Sequence, residues 1–248
     1  MRERTDDFSI GRVIAQGLAA VARRPAATCV PALLFGVPPA WLIGYATEGS
    51  GGGDEVAIGL IFASLWVGAV TNVVSQGAIA PAVLADDAPL GRVSQSLAPL
   101  AAAGALIGFA TVVTGALLVV PGLLLYALWS VAGPAIVAER LGPLAGLRRS
   151  AALVRPVFWR VLLLNALLIL AYAAFWLALG LAGLYCRYGP AAFIEDFDTP
   201  LPVGFYLLSA PFLTLATAAW GAVVAALYAD LRERLDGVPA DRLARIFA

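Results

Sequence analysis

The sequence predicts an all-α membrane protein with six transmembrane helices, and three observations carry that prediction. Hydrophobic residues make up 61% of the 248 positions and charged residues 13%, against about 45–50% and about 25% in soluble domains. The apolar stretches run on for about twenty residues without the period-two alternation of a membrane barrel, which leaves the helix as the backbone form that satisfies its own hydrogen bonds in hydrocarbon. The basic residues, all of them arginine, collect on one side when the chain crosses six times, as the positive-inside rule requires.

The whole of 1–248 reads as a single integral membrane domain. Its first 25 residues mix five arginines with three acids and contain no uninterrupted apolar stretch of signal-peptide type, so they are expected to remain attached. Ile10, Val13, Ile14, Leu18 and Val21 recur at helical spacing opposite Arg12, Gln16 and Arg23, the pattern of an amphipathic helix lying in the membrane interface. The first span covers about 26–46 and ends in the acidic, turn-rich segment Glu48–Glu55, where Ser50–Gly53 is all serine and glycine. The second covers about 56–84, longer than a bilayer requires and therefore tilted or projecting.

Between Arg92 and Glu139 lie 46 uncharged residues, which as one helix would reach about 69 Å at 1.5 Å per residue. No bilayer accommodates that length, so the stretch is divided into spans at about 96–119 and 121–138, with the turn at Val120-Pro121-Gly122. The fifth span covers about 161–185, the sixth about 203–228, and 229–248 form a tail in which Asp241–Phe247 has an amphipathic pattern too short to decide whether it docks on the membrane or on a partner. With this division fifteen of the sixteen arginines lie on the side of both termini; Arg187 alone faces six acids on the other. That side is expected to be the cytoplasm of a bacterium, the arginine-only, alanine- and glycine-rich usage suggesting a GC-rich genome.

Three segments on the arginine side resemble one another: Ser9–Val13, Pro89–Val93 and Pro143–Leu147. Each opens a helix-like stretch that leads into an outgoing span, which predicts three hairpin units, each preceded by an interfacial amphipathic helix. In the third, Leu144, Leu147, Ala151 and Val154 form one face, with Arg148, Arg149 and Arg155 available to lipid phosphates. Arg12, Arg23 and Arg24 are the corresponding candidates in the first.

Chemistry within the spans is sparse. No acid or arginine lies inside any of the six, which disfavours proton- or ion-coupled mechanisms. There is no histidine and no lysine to activate Ser75 or Ser130, and Gly51-Gly52-Gly53 lacks the lysine of a phosphate loop. Cys29 and Cys186 fall at opposite membrane faces, about 30 Å apart, too far to bridge, and read as packing residues. The best polar group is Asn72, Ser75 and Gln76, on one face of the second span, with Asn165 of the fifth at a compatible depth. Interhelical bonding is the first expectation for these four, and contact with a substrate the second. Gly104, Gly108 and Gly115 read as close helix packing, and Trp41, Tyr45, Trp159, Tyr185 and Tyr188 as an interfacial aromatic belt.

Several of these residues also fall in longer matching stretches: Phe8–Val13, Gln76-Gly77-Ala78, Pro121–Ser130, Glu139–Leu144, Arg148-Arg149-Ser150, Phe158-Trp159-Arg160 and Leu227–Arg232. In these the chain resembles the bacterial glycerophosphoryl diester phosphodiesterase membrane-domain family, the YciC-like inner-membrane proteins. The resemblance implies a multi-pass inner-membrane protein, and the enzymatic part of the family name implies a separate fused domain that this sequence does not contain. Phosphodiester hydrolysis of that type would need histidines and a metal-binding carboxylate cluster.

The expectation is therefore a non-enzymatic membrane protein of envelope, structural or assembly type that engages anionic lipid, with no cofactor and no metal. Membrane lipids are the expected partners, with a second copy of the chain or a partner ATPase also in view, and no nucleic acid. The alternative is a transporter or permease subunit for a lipidic or apolar substrate, energised by that ATPase because the chain has no nucleotide motif of its own.

Overall fold

The computed structural model of the chain describes residues 8–49, 54–84, 91–117, 119–188 and 203–237. Ser50–Gly53, the stretch 241–247, the surroundings of Gly115 and the side chains of Trp41, Tyr45, Cys186 and Tyr188 lie outside what it describes. The described residues are helical almost throughout and none is in a strand. Among the described residues nine α-helices follow in order: α1 (Ile10–Arg23), α2 (Pro25–Gly49), α3 (Asp54–Leu84), α4 (Gly91–Leu117), α5 (Val119–Trp129), α6 (Ala132–Glu139), α7 (Pro143–Val154), α8 (Phe158–Tyr188) and α9 (Val203–Asp236), with a 3-10 turn at Arg155–Val157 between α7 and α8. Among the described residues five stretches are long and apolar enough to cross a membrane, and six if the bent α1–α2 pair counts as one.

The bend between α1 and α2 is 96° and has a local cause. Arg24 precedes Pro25, whose ring disfavours α conformation in the residue before it, and Arg24 accordingly sits at φ −135°, ψ 62°. Pro25 then opens α2, where a missing N–H leaves no helical bond unmade. At its other end α1 is capped by Ser9, whose hydroxyl accepts from the Arg12 N–H at 3.5 Å.

The apolar face of α1 is not turned to lipid. Val13, Gly17 and Ala20 are buried, and a Cβ built on Gly17 would come within 2.6 Å of Val223 Cα in α9. The amphipathic pattern therefore reports a helix laid against another helix through Val13, Gly17 and Ala20, whereas Leu18, expected on the same face, is exposed beside the polar residues. In α7 likewise Gly146, Leu147, Ser150, Leu153 and Val154 are buried, with no room for a Cβ between Gly146 and Ile136. Leu144, placed by its spacing on the same face as Leu147, is instead exposed. In the middle unit Gly91–Val93 form the first turn of α4 itself, and 85–90 are outside the described residues.

The long uncharged stretch divides as its length demands. Helix α4 ends at Leu117 and α5 begins at Val119, just before Pro121, which falls in the first turn of α5 where its lack of an N–H does no harm. The fourth span, expected to be one helix over 121–138, is broken again at Ser130-Val131 into α5 and α6. Pro134 supplies the reason: an unbroken helix would pair the residue-134 N–H with the Ser130 carbonyl, and proline has none to give. The ladder resumes with the Ala135 N–H donating to Val131 O at 3.1 Å.

Helices α3, α6 and α9 form the centre. Val73–Pro81, Ser130–Ala138 and Gly221–Tyr228 are buried without interruption, as expected of helix segments surrounded by others. Small residues permit the approach: a Cβ on Gly133 would lie 2.9 Å from Val73 O, and one on Gly104 would lie 2.7 Å from Val70 Cα. Gly108 meets Trp66 and Ala69 in the same way, so both described glycines of the third span pack closely. Helix α8 is the exception: it touches chiefly α5 and α9, and Leu163, Leu170 and Leu177 are more than half exposed.

Candidate functional site

Two polar groups stand out, one inside the apolar bundle and one at its arginine-rich end. The inner group starts from α3, where Asn72 and Gln76, one helical turn apart, join their side-chain amides at 2.6 Å. Gln76 is 3% exposed, and its amide meets all of its neighbours when the NH2 donates to Ser130 O at 3.2 Å and the carbonyl accepts from Trp220 Nε1 at 3.2 Å. The Ser130 carbonyl is the one that Pro134 leaves without its helical donor, so a backbone acceptor at membrane depth is satisfied by a side chain of a neighbouring helix. Tyr126 of α5 faces the same group, its hydroxyl beside Trp220, Gln76 and Asn72. Tyr172 of α8 closes it with an edge-on ring contact to Trp220, centroids 5.7 Å apart.

Of the four residues picked out by spacing, the structure thus brings Asn72 and Gln76 together and leaves two apart. Ser75 is buried, and its hydroxyl has no hydrogen-bond partner among the described residues. Asn165 is 1% exposed; its NH2 donates to Val161 O in its own helix at 2.9 Å, and its Oδ1 has no partner among the described residues. The bond expected between Asn165 and the α3 amides is not made. Tyr126, Ser130 and Trp220 are the members that the spacing argument missed, because they come from α5, its broken end and α9, and no local pattern joins them.

The second group gathers where α1, α6, α7 and α9 meet. Glu139, the last residue of α6, accepts from Arg149 Nε on both carboxylate oxygens at 3.0 Å and from the Tyr228 hydroxyl at 2.9 Å. Arg149 also donates to Asp236, and Arg232 lies 3.9 Å from Glu139 and 3.8 Å from Asp236. Burial works to lower the pKa of Arg149, but hydrogen bonds and charge from Glu139 and Asp236 more than offset it and hold the guanidinium above its ordinary value. The chain turns at Arg140 in left-handed conformation, φ 52° and ψ 46°, which costs a non-glycine residue about 1 kcal/mol. On the α1 side, Asp230 accepts from Arg12 at 3.0 Å and from Arg234 at 2.6 Å, and the Arg234 guanidinium lies over the Phe8 ring at 5.6 Å.

These pairings sort the six arginines expected at lipid phosphates. Arg12 and Arg149 are engaged with carboxylates of α6 and α9. Arg23 is exposed, its Nε donating to Ala19 O at 3.3 Å, and Arg24 is half-buried. Arg148 and Arg155 are exposed.

The chain matches no protein-family model, no curated protein and no solved structure. Among the described residues, no cluster of three or more His, Cys, Asp or Glu is placed to hold a metal ion. Chemically, the inner group can lock helices together, and the outer end can bind anions through the arginines its carboxylates leave outward.

Proposed function

We propose that this protein is a non-enzymatic, multi-pass component of the bacterial cytoplasmic membrane, of envelope, structural or assembly type, with both termini and the arginine-rich end in the cytoplasm, where that end engages anionic lipid. One observation carries the reading: the polar groups inside the bundle are largely spent on one another, whereas arginines at the end of the bundle are exposed, Arg23, Arg148 and Arg155 among them. Exposed guanidinium groups on a membrane-embedded protein belong at headgroup level, where anionic lipid attracts them by about 1 kcal/mol each. The resemblance to the phosphodiesterase membrane-domain family belongs to the same proposal and brings no activity with it.

The test is thermal unfolding of the full chain reconstituted in discs of neutral phosphatidylcholine and in discs containing phosphatidylglycerol. Anionic lipid is expected to raise the unfolding temperature by several degrees, with the gain diminishing at high salt. Equal stability in both lipids contradicts the reading.

A second reading, a permease subunit for a lipidic or apolar substrate driven by a partner ATPase, is favoured by the buried Ser75 hydroxyl and Asn165 carbonyl, which have no partner among the described residues. Recovery of an ATPase with the affinity-purified complex would support it over the first.

A further inference from the structure

The arginines at the lipid-facing end are not equivalent, and one strip of them has the form of a binding site. Along α7, the 3-10 turn and the start of α8, Leu144, Arg148, Ala152, Arg155 and Trp159 are exposed and lie three or four apart, so they form one continuous face, bordered by the exposed Ala145, Pro156 and Arg160. Leu144 is 59% and Trp159 75% exposed, large apolar side chains that a water-facing surface would not present together. The opposite face of the same stretch is consumed by the bundle: Ser150 donates to Leu128 O at 2.8 Å and Arg149 is held by Glu139 and Asp236. Arg149 therefore neutralises the nearest carboxylates, and the charge of Arg148 and Arg155 is directed outward without a neighbouring acid on the strip.

Resting on the lipid-engaging reading above, we infer that the strip Leu144–Trp159 is a specific site for an anionic phospholipid headgroup carrying two phosphodiester groups. Arg148 and Arg155 are seven residues apart, about 10 Å along a helix. At that separation each guanidinium takes its own phosphate through a bidentate pair of charge-assisted hydrogen bonds. Trp159 lies at the headgroup boundary, where its ring is amphipathic enough to be stable. Arg23 serves as the internal comparison: it is exposed too, but on α1 and outside the strip.

The experiment is lipid titration of the purified full chain in neutral detergent, read by native mass spectrometry, with cardiolipin, phosphatidylglycerol and phosphatidylcholine as probes. The wild type is expected to bind cardiolipin more tightly than phosphatidylglycerol at equal lipid charge, and phosphatidylcholine weakest. Arg148→Gln and Arg155→Gln are expected to weaken cardiolipin binding about fivefold each, and the double variant is expected to abolish the preference for cardiolipin. Arg23→Gln leaves the preference intact, and the Lys pair R148K/R155K retains part of it by charge alone. Both substituted positions are exposed, so an unchanged unfolding temperature marks the variants as folded. If the double variant binds cardiolipin as the wild type does, or if the wild type does not distinguish cardiolipin from phosphatidylglycerol, the site is refuted while the general preference for anionic lipid stands. If all three lipids bind alike, the broader reading falls as well.

Discussion

The Ser130 carbonyl accepts a hydrogen bond from the Gln76 amide at 3.2 Å, in the place where residue 134 would donate were it not proline. One substitution-sensitive relationship therefore joins the break in the fourth span to the polar residues of the second. Pro134 removes a donor, the helix parts at Ser130-Val131, and Gln76 fills the vacancy while Trp220 and Asn72 hold its other end.

A double-mutant cycle tests this coupling. Gln76→Leu is expected to destabilise the bundle by about 1–2 kcal/mol, since it strips the Ser130 carbonyl and Trp220 N–H of partners inside the membrane. In a Pro134→Ala background, where the helix can supply its own N–H, the same substitution costs less, with an interaction energy of about 0.5–1.5 kcal/mol. Chemical unfolding of the four proteins in one detergent gives the comparison, and strict additivity disproves the coupling.

Asn165 predicts the opposite behaviour. Among the described residues its buried carbonyl oxygen has no donor, so Asn165→Leu removes an unsatisfied acceptor and keeps the branching of the side chain. Stability is expected to stay within about 0.5 kcal/mol of wild type or to rise. A loss as large as that of Gln76→Leu would mean that Asn165 has a partner in the membrane, and would strengthen the permease reading.

The pair between Glu139 and Arg149 is predicted to hold α6, α7 and α9 together. The side chains of Glu139, Arg149 and Arg232 are 17%, 27% and 12% exposed, so Glu139→Gln leaves two partly buried guanidinium groups to share Asp236 alone. A loss of about 2 kcal/mol is expected, visible as a lowered unfolding temperature. A change no greater than that of an exposed surface substitution would reduce the network to ornament.

Helix α1 depends on Gly17. A side chain there must displace the α9 backbone at Val223, so Gly17→Val is expected to cost about 1–3 kcal/mol and to expose α1 to limited proteolysis. Gly68→Ala is the control, because nothing lies within 4 Å of the added carbon. Equal resistance of the two variants would show that α1 is not packed as described.

The sequence made the membrane class, the helices and the division of the 46-residue stretch legible, because hydropathy, charge and length are properties of continuous segments. The break at Ser130 was also written there, in Pro134, but its meaning depended on Gln76, more than fifty residues away. The amphipathic faces of α1 and α7 were legible as faces; that they pack on α9 and α6 rather than on lipid follows from Gly17 and Gly146, whose contacts no periodicity reveals. Spacing found Asn72 with Gln76 on one helix, but Tyr126, Ser130 and Trp220 come from two others. The same limit applies to the arginines: charge counting grouped Arg148 with Arg149, and only the fold separates the one that faces outward from the one held by Glu139 and Asp236.

The central claim is that the arginine-rich end selects anionic lipid, and its most direct measurement is the lipid that accompanies the protein out of the membrane. The full chain is extracted in polymer-bounded discs, and the lipid classes within them are quantified against those of the bulk membrane. The account predicts enrichment of anionic phospholipid, reduced in the R148Q/R155Q variant. A lipid composition indistinguishable from the bulk membrane would contradict it.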